Sequence, residues 1–284
     1  MPAVLRQRII TAVLLLCILV PAVLSSNRIF FVLVSGILVC AAVWEWARLS
    51  GFPGLSAVFF GLGFGAVCAG LWMSGVVFAS LAWLWLGVGA AWVLLASLLL
   101  RVGSDRWLVV PRGIRLAGGL VGLCAAWLAL VQARAIGVNF LFSVLVLVWV
   151  ADIAAYFSGR LLGSRFIARR LAPRISPGKT WEGVIGAFFV VMAVAFSWRS
   201  LDSGQGLDSQ NLYSHLGAVS PWFLALSVVF LTTMSVVGDL LESLFKRAAG
   251  VKDSSGLLPG HGGVLDRIDA LLPVLPLAML LCSN

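Results

Sequence analysis

VSPWFLALSVVFLTTMSVVGDLLESLF, residues 219–245, is apolar along most of its length and carries charge only at Asp239 and Glu242. At about 1.5 Å per residue, a helix over this stretch exceeds the roughly 30 Å of bilayer hydrocarbon. Comparable runs stand near 9–25, 30–47, 55–73, 77–100, 117–133, 139–157 and 184–198. A further run, 270–282, is short and holds Pro273 and Pro276, so a tilted, kinked or partial span is expected there. These runs predict an all-α protein: a polytopic transmembrane helical bundle of eight or nine spans, forming a single integral membrane domain over 1–284.

Composition points the same way. Charged residues make up 11% of the 284 and hydrophobic ones 61%, where soluble domains carry roughly 25% charge. Mean hydropathy is +1.07. A membrane β-barrel would alternate apolar and polar positions over segments of about 10 residues, and no such pattern occurs. The first run follows Arg6 and Arg8, as a signal peptide would, but its apolar core exceeds the usual 7–15 or so residues and no A-x-A site follows, so an uncleaved helix is expected. Cys17, Cys40, Cys68, Cys124 and Cys282 lie in or beside apolar runs without a C-x-x-C pair and read as small buried residues.

The net charge of +9 is explained by where the cations fall, and nucleic acid is not expected as a partner. With the N-terminus cytoplasmic, only Arg28, Arg134 and Arg199 of the 20 Lys and Arg lie on the outer side. That asymmetry places both large polar loops in the cytoplasm. No internal repeat is visible. Residues 200–218 read as the one sizeable outer loop, with His215 solvated in it.

Glu45, Asp152, Asp239 and Glu242 lie in or at the end of spans, all near the cytoplasmic side, and acids in spans are functional candidates. Glu45, between Trp44 and Trp46, reads most simply as part of an interfacial aromatic belt. Asp152 and Tyr156 share a helix face, as do Asp239, Glu242, Ser243 and Lys246. Asp266 and Asp269 fall where a first helical turn would favour acids. Asp266 is also expected to join Asp239 in holding a divalent cation, and oxygen-rich, sulfur-free surroundings favour Mg²⁺. Lys179, Lys246, Arg247, Lys252 and Arg267 could screen phosphates, while Gly260, Gly262 and Gly263 let backbone amides approach an anion. Ser176-Pro177-Gly178-Lys179-Thr180 ends like a P-loop, but Pro173 stands where the leading glycine is required. Arg165, Arg169, Arg170 and Arg174 fit contact with anionic headgroups. The glycines at 61, 63, 65, 87 and 89 read as helix packing.

The run S-x-F-K-R-x4-K-D-x-S-x2-L-P-G-H-G-G-x2-D-R-x-D, Ser243 to Asp269, resembles the signature of phosphatidate cytidylyltransferases, also called CDP-diacylglycerol synthases. Asp152-x3-Tyr156-x2-Gly159-Arg160, Ser176-Pro177-x-Lys179-Thr180-x-Glu182-Gly183 and Gly238-Asp239-x2-Glu242-Ser243 agree with it. The motifs cover about a quarter of the chain. The resemblance implies transfer of a cytidylyl group from CTP to phosphatidic acid, with Mg²⁺ and with room for a second cation, in a bacterial cytoplasmic (inner) membrane. It implies variable helices over about 1–135 and a catalytic region over about 139–284.

The same resemblance gives catalytic roles to Asp239, Asp266, Lys252, Asp253 and His261, and metal ligation to Asp239, Asp266 and Glu242. Substrate contacts fall to Asp152, Tyr156, Ser176, Lys179, Thr180, Glu182, Ser243, Lys246, Arg247, Gly262, Gly263 and Arg267. Membrane lipids are the expected surroundings, and a homodimer is allowed. Two alternatives remain: a CTP-dependent kinase of a polyprenol or phytol, and a transporter. The transporter would place acids nearer the midplane and often shows inverted repeats. A CDP-alcohol phosphatidyltransferase would need D-G-x2-A-R, which does not occur.

Overall fold

A computed structural model describes residues 3–163, 165–202 and 207–283. Its helices in chain order are α1 (Ala3–Leu24), α2 (Arg28–Leu49), α3 (Leu55–Met73), α4 (Ala82–Val102), α5 (Ser104–Trp107) and α6 (Arg112–Ile136). They continue with α7 (Val138–Leu162), α8 (Trp181–Asp202), α9 (Leu212–Val219), α10 (Pro221–Ala248), α11 (Leu265–Ile268) and α12 (Leu271–Leu281). Among the described residues eight of these, α1 to α4, α6 to α8 and α10, are long and apolar enough to cross a membrane. The expected helical membrane architecture is therefore present. With 11 residues, α12 reaches only about 16 Å, as its two prolines led one to expect.

The chain packs as two compact units, each drawn from three separated stretches: 1–79, 102–135 and 245–269 in the first, and 80–101, 136–244 and 270–284 in the second. The signature loop thus packs with the N-terminal helices.

In the first unit α2 is the central element. It packs against α1 and α3 and buries Phe31, Val32, Ser35, Val39, Ala42, Val43, Glu45, Trp46 and Ala47, a stripe at helical spacing. Asn27 caps it by accepting from the Ile29 N–H at 3.0 Å. Trp127 Nε1 donates to Ser35 Oγ at 3.2 Å. Arg134 donates to the carbonyls of Val23 and Ser25, both at 2.7 Å, which satisfies carbonyls left unpaired where α1 ends. Gly61 faces α2 closely enough that a Cβ would meet the Cys40 carbonyl at 3.0 Å, whereas Gly63 faces open space. The expected packing role holds for Gly61 and not for Gly63.

In the second unit α7 and α8 pack along their lengths. A Cβ on Gly186 would fall on the Ser158 side chain, and one on Gly183 would lie 2.7 Å from the Ala155 carbonyl. Small residues three apart thus set how closely the two backbones approach. Gly89 likewise packs against Leu277 of α12, while Gly87 faces open space.

At one end of this unit Asp208 accepts from the N–H groups of Val138 and Asn139 at 2.5 and 3.1 Å, capping α7. The reading of 200–218 as a plain loop is corrected here. Residues 203–206 lie outside the described residues, and Leu212–Val219 is helix α9, which buries Leu212, Tyr213 and Leu216. His215 is half-buried and lies edge-on to Phe140, with ring centroids 5.6 Å apart. The apolar positions of α9 recur at i, i+1 and i+4, a short amphipathic signal that the neighbouring Ser, Gly and Gln obscure.

Candidate active site

In the first unit the signature loop is built around Asp266. Its Oδ1 accepts from Lys246 Nζ at 2.6 Å. Its Oδ2 accepts from the Ser254 N–H at 2.9 Å, Ser254 Oγ at 3.0 Å and the Gly263 N–H at 2.8 Å. Both partners of the ion pair are well covered, with side chains 13% and 5% exposed. Gly262 has φ +82, a conformation L side chains rarely adopt, and a Cβ there would lie 2.7 Å from Asp266 Oδ2. Glycine is needed at 262 both for the turn and for this approach.

The rest of the loop is a tight turn. Leu258 N–H donates to the Gly262 carbonyl and His261 N–H to the Leu258 carbonyl, each at 2.8 Å. Arg267 donates through Nε and Nη2 to the His261 carbonyl at 3.0 and 2.6 Å. The imidazole Nδ1 of His261 is buried with no hydrogen-bond partner. From α1, Thr11 Oγ1 donates to the Pro259 carbonyl at 2.8 Å and Arg8 Nε to the Gly260 carbonyl at 3.1 Å. Phe245 packs on Trp46 and Trp107 with centroids 5.0 and 4.5 Å apart. Arg247, Lys252, Asp253 and Arg267 are exposed.

In the second unit Lys179 Nζ lies 2.6 Å from Asp239 Oδ2, and Ser243 Oγ is 3.4 Å from Asp239 Oδ1. Residues 165–180 form a compact turn: Leu171 N–H donates to the Lys179 carbonyl at 3.1 Å, and Ser176 N–H to the Ala172 carbonyl at 2.9 Å. Thr180 caps α8, its Oγ1 accepting from the Gly183 N–H at 3.1 Å. Glu182 is buried, and its Oε1 accepts from the N–H groups of Phe166 and Ile167 at 3.2 and 2.9 Å. Glu242 is buried one turn beyond Asp239 on α10. Asp152 and Tyr156 are exposed on α7, and Arg160 donates to the Tyr156 hydroxyl at 2.9 Å.

Two carboxylates therefore each carry one lysine ammonium: Asp239 in one unit, Asp266 in the other. Among the described residues no three His, Cys, Asp or Glu side chains gather into a ready-made metal group. The donors at both places are hard oxygens, and Mg²⁺ is typically bound through one or two carboxylates plus substrate phosphates. The residues fit that ion.

Glu45, one of the four span acids, is where the simplest sequence reading needs correction. It is fully buried, not interfacial, and it accepts four hydrogen bonds from the signature segment. Trp46 is buried too, its Nε1 donating to the carbonyls of Arg115 and Leu116 at 3.1 and 3.3 Å. A buried acid between two tryptophans has no distinguishing local pattern, because its partners are far away in the chain.

Fold and site together define a polytopic helical membrane protein with paired carboxylates and lysines suited to phosphate chemistry. The chain belongs to the Cytidylyltransferase family, whose model matches residues 6–284. It is 41% identical over 281 residues to a phosphatidate cytidylyltransferase of Pseudomonas aeruginosa, covering 96% of this chain and 94% of that protein. It is 34% identical over 290 residues to the protein of that name from Haemophilus influenzae, covering 96% of each. A third, from Staphylococcus saprophyticus, is 29% identical over 283 residues, covering 97% of this chain and 98% of that protein.

Proposed function

We propose that this protein transfers the cytidylyl group of CTP to phosphatidic acid, giving CDP-diacylglycerol and pyrophosphate, at the cytoplasmic side of a bacterial inner membrane. The observation that carries it is the ordered signature segment in a chain that matches the family almost end to end. A phosphatidate oxygen attacks the α-phosphorus of CTP. A new P–O bond forms as the bond to the bridging oxygen breaks, and pyrophosphate leaves with that electron pair. The nucleophile is ionised at neutral pH, so positioning and charge neutralisation are the chief requirements.

Asp239, Asp266 and Glu242 are the proposed carboxylates for Mg²⁺, with a second cation allowed. When bound, Mg²⁺ would neutralise phosphate oxygens and the departing pyrophosphate. Lys179 and Lys246 hold the charges of Asp239 and Asp266 in the substrate-free protein, and each ammonium can turn to a phosphate when a polyanion enters. Arg247, Lys252 and Arg267, exposed on the loop, supply further cations. His261 orients the loop through its carbonyl, on which Arg267 is seated.

Purified protein in detergent, given phosphatidate, α-³²P-CTP and Mg²⁺, tests the proposal. Label in the extracted lipid that needs both phosphatidate and Mg²⁺ supports it. Label passing instead from γ-³²P-CTP to an added polyprenol would replace it with lipid kinase chemistry, and no transfer from either nucleotide would remove the enzyme assignment.

A further inference from the structure

Glu45 lies on α2 with 0% exposure. Its Oε1 accepts from Ser255 Oγ at 2.5 Å and the Val264 N–H at 3.0 Å. Its Oε2 accepts from Ser254 Oγ at 3.1 Å and the Leu265 N–H at 2.7 Å. All four donors flank Asp266 or the residue that binds it. The Ser254 hydroxyl lies 3.0 Å from Asp266 Oδ2 as well, so a single hydroxyl spans the two carboxylates. Gly263 makes room for the arrangement, since a Cβ there would fall on both Ser254 Oγ and Glu45 Oε1.

Holding α2 against the loop does not require an acid. Burying a carboxylate is costly unless hydrogen bonds replace its water, and an apolar side chain would pack α2 and the loop together without that cost. What the carboxylate adds is direction: four bonds to named atoms fix the register of residues 254–265. We propose that Glu45 is a positioning residue for the transfer reaction. It presets the signature loop so that Asp266 Oδ1 and the Lys246 ammonium stand at a fixed place before substrate arrives. The proposal rests on the cytidylyltransferase reading and on Asp266 belonging to its site.

Glu45→Gln separates direction from volume. The amide nitrogen replaces one oxygen and cannot accept, so one backbone N–H, of Val264 or Leu265, loses its acceptor whichever way the amide turns, and one serine hydroxyl loses its bond to residue 45. Wild type, Glu45→Gln, Ser255→Ala and Asp266→Asn are compared in one detergent. The readouts are amide exchange without substrate, thermal midpoint, and kcat and KM for CTP.

The expected result for Glu45→Gln is faster exchange at Val264 and Leu265 with the long helices unchanged. With it, kcat falls about 10–100-fold, the range seen when a residue orienting a site ligand is removed. KM for CTP changes far less, because ground-state binding is retained. Ser255→Ala, which removes one donor and no charge, shifts both readouts the same way by less, and it decides the matter if Glu45→Gln does not fold. Wild-type kcat with a loosened loop would overturn the proposal, as would an unchanged exchange pattern or a rise in KM alone. Wild-type turnover in Asp266→Asn would instead take Asp266 out of the reaction. Absence of lipid labelling by the wild type would sink the cytidylyltransferase reading itself.

Discussion

Replacing Asp266 by asparagine perturbs the loop in a way that can be worked out atom by atom. The three donors on Oδ2, Ser254 N–H, Ser254 Oγ and Gly263 N–H, require an acceptor, so the asparagine oxygen takes that position. The amide NH₂ is then left facing the Lys246 ammonium, formerly 2.6 Å from Oδ1, and two donors confront each other. Removing one partner of a covered ion pair costs about 3–5 kcal/mol. Because the lysine side chain keeps 13% exposure, the lower end, about 3 kcal/mol, is the expected value.

That cost should stay local, because Glu45 grips the loop through separate bonds. At about 1.4 kcal/mol per factor of ten, 3 kcal/mol corresponds to roughly 150-fold faster exchange at the Ser254 and Gly263 amides through local opening. The long helices should exchange at the wild-type rate, and labelling of lipid from α-³²P-CTP should fall nearly to background. Global melting, or exchange at 254 and 263 within about threefold of wild type against that roughly 150-fold expectation, would refute the reasoning.

Other consequences are simpler to state. Lys179→Ala removes the cation on Asp239 and should raise KM for CTP more than it lowers kcat; unchanged kinetics would leave the 165–180 turn as a membrane contact only. Gly186→Leu drives a side chain into Ser158 of α7 and should cut the yield of folded protein, read by size-exclusion chromatography; full yield would mean the α7–α8 contact tolerates separation. For His215, burial lowers the pKa below the ordinary 6.5, and Asp202 opposes part of that effect. The folded protein thus binds this proton less readily than the unfolded chain, so the linked stability is complete above about pH 6.5 and declines as pH falls below it. His215→Phe should flatten that acid decline in the thermal midpoint, and an unchanged slope would assign it to other groups.

What the sequence could disclose followed from the range of the signal. Long apolar runs fixed eight helices, because span length and hydropathy are properties of contiguous residues. Lys246, Gly263 and Asp266 were legible since they lie within one short segment, and the structure joins them directly; Ser254, which also binds Asp266, stands at a position the motif leaves open. Helix α9 was hidden because one buried face over two turns gives little periodicity among polar neighbours. Glu45 stood out as an acid in a span, but its burial was hidden for a different reason: its hydrogen-bond partners lie 209 to 220 positions away. Glu182 shows the same effect on a smaller scale, a motif acid whose Oε1 is occupied by two nearby backbone amides.

The distance along the chain between Glu45 and its four donors also orders the assembly of the molecule. During synthesis α2 is finished more than 200 residues before Ser254 exists, so its carboxylate must wait with water or some provisional partner. Contacts of such long sequence separation form late, and this one closes only after residue 265 has been made. A late segment thus supplies the donors for a carboxylate made long before it. A chain interrupted before residue 254 would keep the Glu45 carboxylate without these four donors, a mark by which an unfinished copy differs from a finished one.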